Sequence, residues 1–207
     1  MPHTPRAAAL IVAVLTIFVP APPDGASAAE PASAIVAGGC FWCVESDFDK
    51  VPGVLSTTSG YTGGHVPDPS YADVTAETSG HREAVRIVFD PDRLSYTALL
   101  DIFWHSVDPT DAGGQFCDRG ESYTTAIFVS GEEQRALAEA SRRELEASGV
   151  LDQPMVTPML DAATFYPAED YHNKNPLKYS YYRWSCGRDA RIRELWGDDA
   201  HRGIPTS

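Results

Sequence analysis

The tightest constraint in this sequence is the run Ala34-Ile35-Val36-Ala37-Gly38-Gly39-Cys40-Phe41-Trp42-Cys43-Val44-Glu45. The four apolar residues 34–37 predict a buried strand that stops at the glycine pair. Phe41, Val44, Glu45 and Phe48 then recur at helical spacing, which predicts a helix running to about Lys50. A strand, a Gly-Gly turn and a helix leave unpaired backbone N–H groups at the helix start. Cys40 falls there, at the positive end of the helix dipole, where an anion is favoured. A thiol in that position is expected to have a lowered pKa, and the thiolate is the nucleophile. Cys43 follows one turn later. A cysteine in an apolar stretch is commonly an inert buried residue. A Cys-x-x-Cys pair opening a helix points instead to redox or nucleophilic chemistry, with Cys40 as the reacting atom. Phe41 and Trp42, ordinarily core residues, can wall a small apolar pocket beside it.

The chain of 207 residues is long enough for one good-sized domain, and its 43% hydrophobic content suits a globular core. The net charge of −13 argues against nucleic acid or an anionic membrane as partner. Residues 1–28 read as a signal peptide: His3 and Arg6, an apolar run from Ala7 to Pro20, and a small-residue cleavage site at Ala26-Ser27-Ala28. The run is too short and too proline-broken for a membrane span, so export to the periplasm or beyond is expected, without stable membrane insertion. A disordered linker is expected over 29–33 and a single domain with its C-terminal tail over 34–200. Cys40, Cys43, Cys117 and Cys186 follow the leader, and four cysteines allow three pairings. A domain of this size does not depend on staples, so redox chemistry is the better use for them.

Further along, Val54 to Tyr61 and Ala84 to Phe89 read as strands, with Arg86 the only charged interruption of the second. Ser95 is a good N-cap for a core-facing helix through Tyr96, Leu99, Leu100, Phe103, Trp104 and Val107. A strand is expected at Thr124 to Val129. Ser130 and Glu133 read as the capping box of a long charged helix ending at Gly149. Met155 to Leu160 is a further strand candidate, and a last short helix is expected near Arg188 to Trp196. Strands alternating with helices indicate an α/β or α+β two-layer sandwich, with strand order open.

The motifs Gly39-Cys40-Phe41-Trp42, Gly60-Tyr61-Thr62-Gly63-Gly64, Pro69-Ser70-Tyr71, Gly80-His81-Arg82-Glu83-Ala84-Val85, Asp118-Arg119-Gly120 with Tyr123, and Phe165-Tyr166-Pro167-Ala168-Glu169-Asp170-Tyr171-His172 resemble, in order, the peptide methionine sulfoxide reductase A family. The resemblance covers about Ile35 to His172. It implies an α+β fold, a two-layer sandwich around a βαβ, ferredoxin-like core with an irregular C-terminal tail. It implies reduction of the S-epimer of methionine sulfoxide, free or in peptides, and so a role in repairing oxidised proteins. By the same resemblance the nucleophile is Cys40, and the pocket for the substrate methyl is Phe41 and Trp42. The groups around the sulfoxide oxygen are Tyr71, Glu83 and Tyr123, with Asp118 in support. Two features depart from the family's commoner pattern: Cys43 stands where glycine is usual, and the stretch after His172 is short.

The chemistry needs these residue types. A sulfoxide sulfur becomes electrophilic when its oxygen is protonated or strongly hydrogen-bonded, so a soft nucleophile must sit beside a neutral acid. Glu83 is the candidate acid, its carboxyl kept protonated by an apolar pocket. A glutamate near a strand start is otherwise simply solvated. His81 reads as structural. Oxidation leaves Cys40 as a sulfenic acid that condenses with a second thiol, and an external thioredoxin-like dithiol resets the enzyme; no metal or organic cofactor is required. Family members commonly resolve with a tail cysteine, which favours Cys186, then Cys43 directly or as relay, then Cys117. A monomer is expected. Two other readings compete: a thioredoxin-like disulfide oxidoreductase using Cys40 and Cys43, which leaves Glu83 and the tyrosines without a role, and a zinc site built on His81-Arg82-Glu83, in which the cysteine pair stands on the wrong side of the histidine.

Overall fold

A computed structural model describes residue 1, residues 29–173 and residues 185–205. The expected signal peptide and part of the tail after His172 lie outside the described residues. Six strands form one sheet in the order β7 (Met159–Asp161), β6 (Ala126–Val129), β1 (Ala32–Ala37), β3 (Arg82–Phe89), β2 (Val54–Thr62), β8 (Tyr166–Pro167), and β4 (Gly114–Gln115) pairs with β5 (Asp118–Arg119) apart from it. β1 (Ala32–Ala37), α1 (Phe41–Phe48) and β2 (Val54–Thr62) make one βαβ unit, split by β3 (Arg82–Phe89) between its strands. α3 (Tyr96–Trp104) connects β3 to β6 (Ala126–Val129), and β1 lies between those two. Two interleaved split units with β1 antiparallel to both neighbours are the ferredoxin-like arrangement. α4 (Gly131–Ser148) then crosses to β7 (Met159–Asp161), parallel to β6, while β8 (Tyr166–Pro167) edges β2.

Strand parity decides what each face receives. In β3, Val85, Ile87 and Phe89 enter the main core with Phe41, Val44 and Phe48 of α1 and Leu99, Leu100 and Phe103 of α3. Ala84 lies in a second cluster with Ala37, Ala126 and Phe128, against which Phe165 packs. Arg86, the charged interruption, lies with its guanidinium carbon 5.0 Å from the Phe165 ring centroid. Glu83 shares the parity of Val85, so the strand aims its carboxyl at the helical side and the start of α1. Each large apolar side chain buried this way contributes about 1.5–3 kcal/mol.

The expected helix start at Ser95 holds, its hydroxyl accepting from the Ala98 N–H at 3.1 Å, and Gly149 ends α4 in the left-handed region at φ 67°. The capping box at Ser130 does not form. Gly131 at φ +87° opens α4 differently, and Gln134 takes the role: its Oε1 accepts from the Ser130 N–H at 2.9 Å and its Nε2 donates to Ser33 at 2.9 Å. A capping box exists elsewhere, where Ser70 and Asp73 open the five-residue α2 (Tyr71–Thr75). The linker expectation is also corrected, because Ala32 and Ser33 already pair with Phe89 and Val88. At the other end Ile204 still packs on the core, past the expected limit at residue 200. The last helix, α5 (Arg188–Trp196), matches its expected span. Among the described residues no helix is long and apolar enough to cross a membrane.

Candidate active site

Cys40 is the N-cap of α1 and is nearly buried at 8% exposure. The sharp turn before it requires glycine: Gly39 sits at φ +78°, and a Cβ there would come 2.5 Å from the Cβ of Gln115. Gln115 is itself fixed, accepting from the Asp108 N–H at 2.9 Å and donating to the Asp108 carbonyl at 2.8 Å. Cys43, one turn on, is buried and hydrogen-bonded to Cys40. Both carry thiols outside any disulfide.

Glu83 is buried, and one carboxyl oxygen accepts the first helical N–H of α1, from Phe41, at 2.9 Å. Burial dominates its chemistry and pushes its pKa up to about 8; the charge of Asp118 adds to the rise, while the hydrogen bonds from Phe41 and Tyr123 oppose it. Tyr123, in a 3-10 turn (Glu121–Tyr123), is hydrogen-bonded to the Tyr71 hydroxyl and to Glu83. Desolvation holds both phenols above their ordinary value, so both are O–H donors. Cys40, Phe41, Trp42, Tyr71, Glu83 and Tyr123 line one small cleft. The expected site residues therefore meet, with Asp118 within electrostatic reach of Cys40, Glu83 and the tyrosines.

One expectation is reversed. The resting Cys40 thiol has its pKa raised, not lowered: it is hydrogen-bonded to Cys43, it is desolvated, and the charges of Cys43, Glu83 and Asp118 disfavour a thiolate. The helix N–H group expected to stabilise sulfur is taken by the Glu83 carboxyl.

Several supporting residues had no assigned role in the sequence. Glu169 accepts from the Tyr71 N–H at 2.9 Å and from the Tyr61 hydroxyl at 2.8 Å, and so fixes the start of α2. Glu77 holds the Ser122 N–H at 3.1 Å and its hydroxyl at 2.6 Å, tying the segment after α2 to the turn that carries Tyr123. The buried ring of His172 packs 5.2 Å from Phe41, 5.5 Å from Trp42 and 4.5 Å from Tyr71 (centroid distances), backing the cleft. His81 has the expected structural place: Nδ1 accepts from Gly64 N–H and Nε2 bonds the Val66 carbonyl.

The described residues contain one disulfide, Cys117–Cys186, with Cα atoms 5.1 Å apart, and so none of the three fully paired connectivities. Cys186 is thus joined to Cys117 and not to Cys40. Among the described residues the one cluster with metal-ligand spacing is Cys117, Asp118 and Cys186, and the disulfide removes both sulfurs from ligation.

A buried thiol, a protonated carboxyl and two phenol donors around an aromatic-walled cleft define a thiol-dependent reductase of a small polar S=O group. The family model for peptide methionine sulfoxide reductase matches residues 32–200. Peptide methionine sulfoxide reductase MsrA 2 of Rhizobium meliloti is 54% identical over 183 residues, covering 86% of this chain and 90% of that protein. The MsrA 2 of Caulobacter vibrioides is 52% identical over 193 residues, covering 91% and 95%. Among solved structures, methionine sulfoxide reductase A of Corynebacterium diphtheriae superposes with a TM-score of 0.63 at 31% identity, covering 71% of this chain and 76% of that one. The chain belongs to the peptide methionine sulfoxide reductase A family.

Proposed function

We infer that this chain reduces the S-epimer of methionine sulfoxide, free or in peptides, to methionine, with Cys40 as nucleophile and Glu83 as acid. The observation that carries the reading is the protonated Glu83 carboxyl beside the Cys40 thiol in a cleft roofed by two phenol donors. Phe41 and Trp42 take the substrate's methyl group. Tyr71 and Tyr123 donate to the sulfoxide oxygen, and Glu83 gives it a proton. Cys40 sulfur attacks the substrate sulfur as its own proton passes to the Glu83 carboxylate. The hydroxyl then passes from the substrate sulfur to the Cys40 sulfur: the substrate S–O bond and the transient S–S bond break, a Cys40 S–O bond forms, and methionine leaves with Cys40 as a sulfenic acid. The substrate sulfur is reduced by two electrons and the Cys40 sulfur oxidised by two.

The geometry supports Cys43 ahead of Cys186 as the first resolving thiol, since Cys43 is already hydrogen-bonded to Cys40. Its sulfur displaces water and forms Cys40–Cys43. Cys117 and Cys186, as thiols, then exchange with that bond, leaving Cys117–Cys186 oxidised and the first pair reduced. Exposed Cys117 presents the final disulfide to an external thioredoxin-like dithiol. We also propose that the leader directs export and that the enzyme works as a monomer, since one chain supplies every residue of the cleft. Rapid quenching of the fully reduced enzyme after one equivalent of substrate tests the reading. Methionine from the S-epimer alone, with Cys40–Cys43 preceding Cys117–Cys186, is expected. Equal use of both epimers, or insulin-disulfide reduction without sulfoxide turnover, would overturn it.

A further inference from the structure

Directly after Cys186, Gly187 turns the chain through the left-handed region at φ +71° and sends Arg188 into the protein interior at 1% exposure. There its Nη2 donates to Asp47 at 2.6 Å and to the Ser106 carbonyl at 2.6 Å. Its guanidinium carbon lies 5.6 Å from the Phe116 ring centroid. Asp47 is fully buried on α1, four residues beyond Cys43 and on the same side of the helix. Phe116 precedes Cys117 and adopts φ +55°, a conformation rare for a bulky side chain. One guanidinium therefore contacts the helix that bears Cys40 and Cys43, adjoins Cys117 through Phe116, and sits two residues from Cys186.

Docking of α5 does not depend on this contact alone. Arg191 pairs with Asp108 at 2.8 Å, the Trp196 indole N–H donates to the Val107 carbonyl at 3.1 Å, and Ile192 is fully buried. A buried ion pair is also a poor source of stability, since well-packed apolar residues serve as well or better. The pair supplies position. Disulfide exchange requires Cα atoms within about 7 Å of one another, and two residues of chain span at most about 7 Å. The Arg188 side chain adds its own length to that span, so tying Arg188 to α1 bounds how far Cys186 can drift from the helix, whichever sulfur it is bonded to.

We propose that Arg188, through its buried pair with Asp47, is a positioning residue for recycling: it keeps the Cys117/Cys186 pair in exchange range of Cys40 and Cys43. The proposal rests on the relay described above. It predicts a separation of the two half-reactions. Reduction of substrate needs only the cleft, whereas oxidation of the second pair needs the clamp.

The test uses Arg188→Met and the double variant Asp47→Leu/Arg188→Met, in which no charge is left buried without its partner. Fully reduced full-length protein receives one equivalent of methionine S-sulfoxide, and samples are acid-quenched, alkylated and mapped by mass spectrometry. First-turnover methionine formation should stay within about two-fold of the parent. Appearance of Cys117–Cys186 and thioredoxin-supported turnover should both slow by about ten-fold or more. Turnover on dithiothreitol, which reaches Cys40–Cys43 without the second pair, should be largely kept. The proposal is overturned if Cys117–Cys186 forms at the parent rate in the double variant, or if the first turnover falls in step with recycling, which marks a merely structural residue. A parent enzyme that never oxidises Cys117 and Cys186 after turnover overturns the relay itself.

Discussion

Phe41 gives its backbone N–H to the Glu83 carboxyl at 2.9 Å, so the start of the helix that Cys40 caps is spent on that carboxyl and not on the sulfur. Cys40 and Glu83 are both protonated at rest below about pH 8. In the proposed mechanism the sulfoxide oxygen is the acceptor that lets both protons move.

Glu83→Gln should therefore keep substrate binding and slow the first turnover by about 10²–10⁴-fold. The parent's first-turnover rate should fall as pH rises through about 8, where Glu83 loses its proton. Stability follows the same group. Its pKa rises from 4.5 to about 8 on folding, so its contribution is full below the lower value and is lost as pH climbs through the upper one. Melting temperatures should show Glu83→Gln gaining on the parent on the alkaline side and matching it in mild acid. A constant difference across pH would contradict a buried protonated carboxyl.

Tyr123→Phe should cost more than Tyr71→Phe, because Tyr123 is bonded both to Tyr71 and to Glu83. Losing one donor to a developing charge costs about 10²–10³-fold, and the remaining phenol offsets part of this. Single-turnover rates of the two variants decide the order, and the reverse order would move the main donor to Tyr71.

Glu169→Gln tests the support of the cleft. It weakens the bonds to the Tyr71 N–H and the Tyr61 hydroxyl, and a loss of about 1–3 kcal/mol in unfolding free energy is expected. Tyr71 is misplaced with it, so KM should rise along with any fall in kcat. A variant with parental stability and parental KM would remove Glu169 from the framework of the site.

Without added reductant, two thiol pairs store two oxidations. Fully reduced enzyme should release about two methionines per chain, the first through Cys40–Cys43 and the second after that pair has been emptied into Cys117–Cys186. The Cys117→Ser/Cys186→Ser variant should release about one. Quenched-flow product counting separates these cases, and a parent burst of one would leave the second pair outside the cycle.

Much of the fold was legible because it rests on local signals: the Gly-Gly turn, the Ser95 cap, the left-handed Gly149 and the 3.6-residue period of α3. The burial of Glu83 was also legible in principle. It shares strand parity with Val85, Ile87 and Phe89, and the family resemblance already marks it as the acid of an apolar pocket, although position near a strand start by itself points to a solvated side chain. The cap at Ser130 was misread because Gly131 takes a positive φ, which composition does not reveal. The Cys40 pKa was misread because the helix terminus is shared, and only the tertiary fold shows that Glu83 claims the N–H. Long-range pairs such as Arg188 with Asp47, and Cys117 with Cys186, join segments 141 and 69 residues apart and have no local signature.

The central claim is that Cys40 alone carries the reduction. The variant Cys43→Ser/Cys117→Ser/Cys186→Ser, fully reduced and mixed with excess methionine S-sulfoxide without a donor, tests it most directly. It should yield about one methionine per chain, with Cys40 left as a sulfenic acid that a dimedone adduct locates by mass spectrometry. No methionine, or a full yield of methionine with the Cys40 thiol still reduced, would contradict the account.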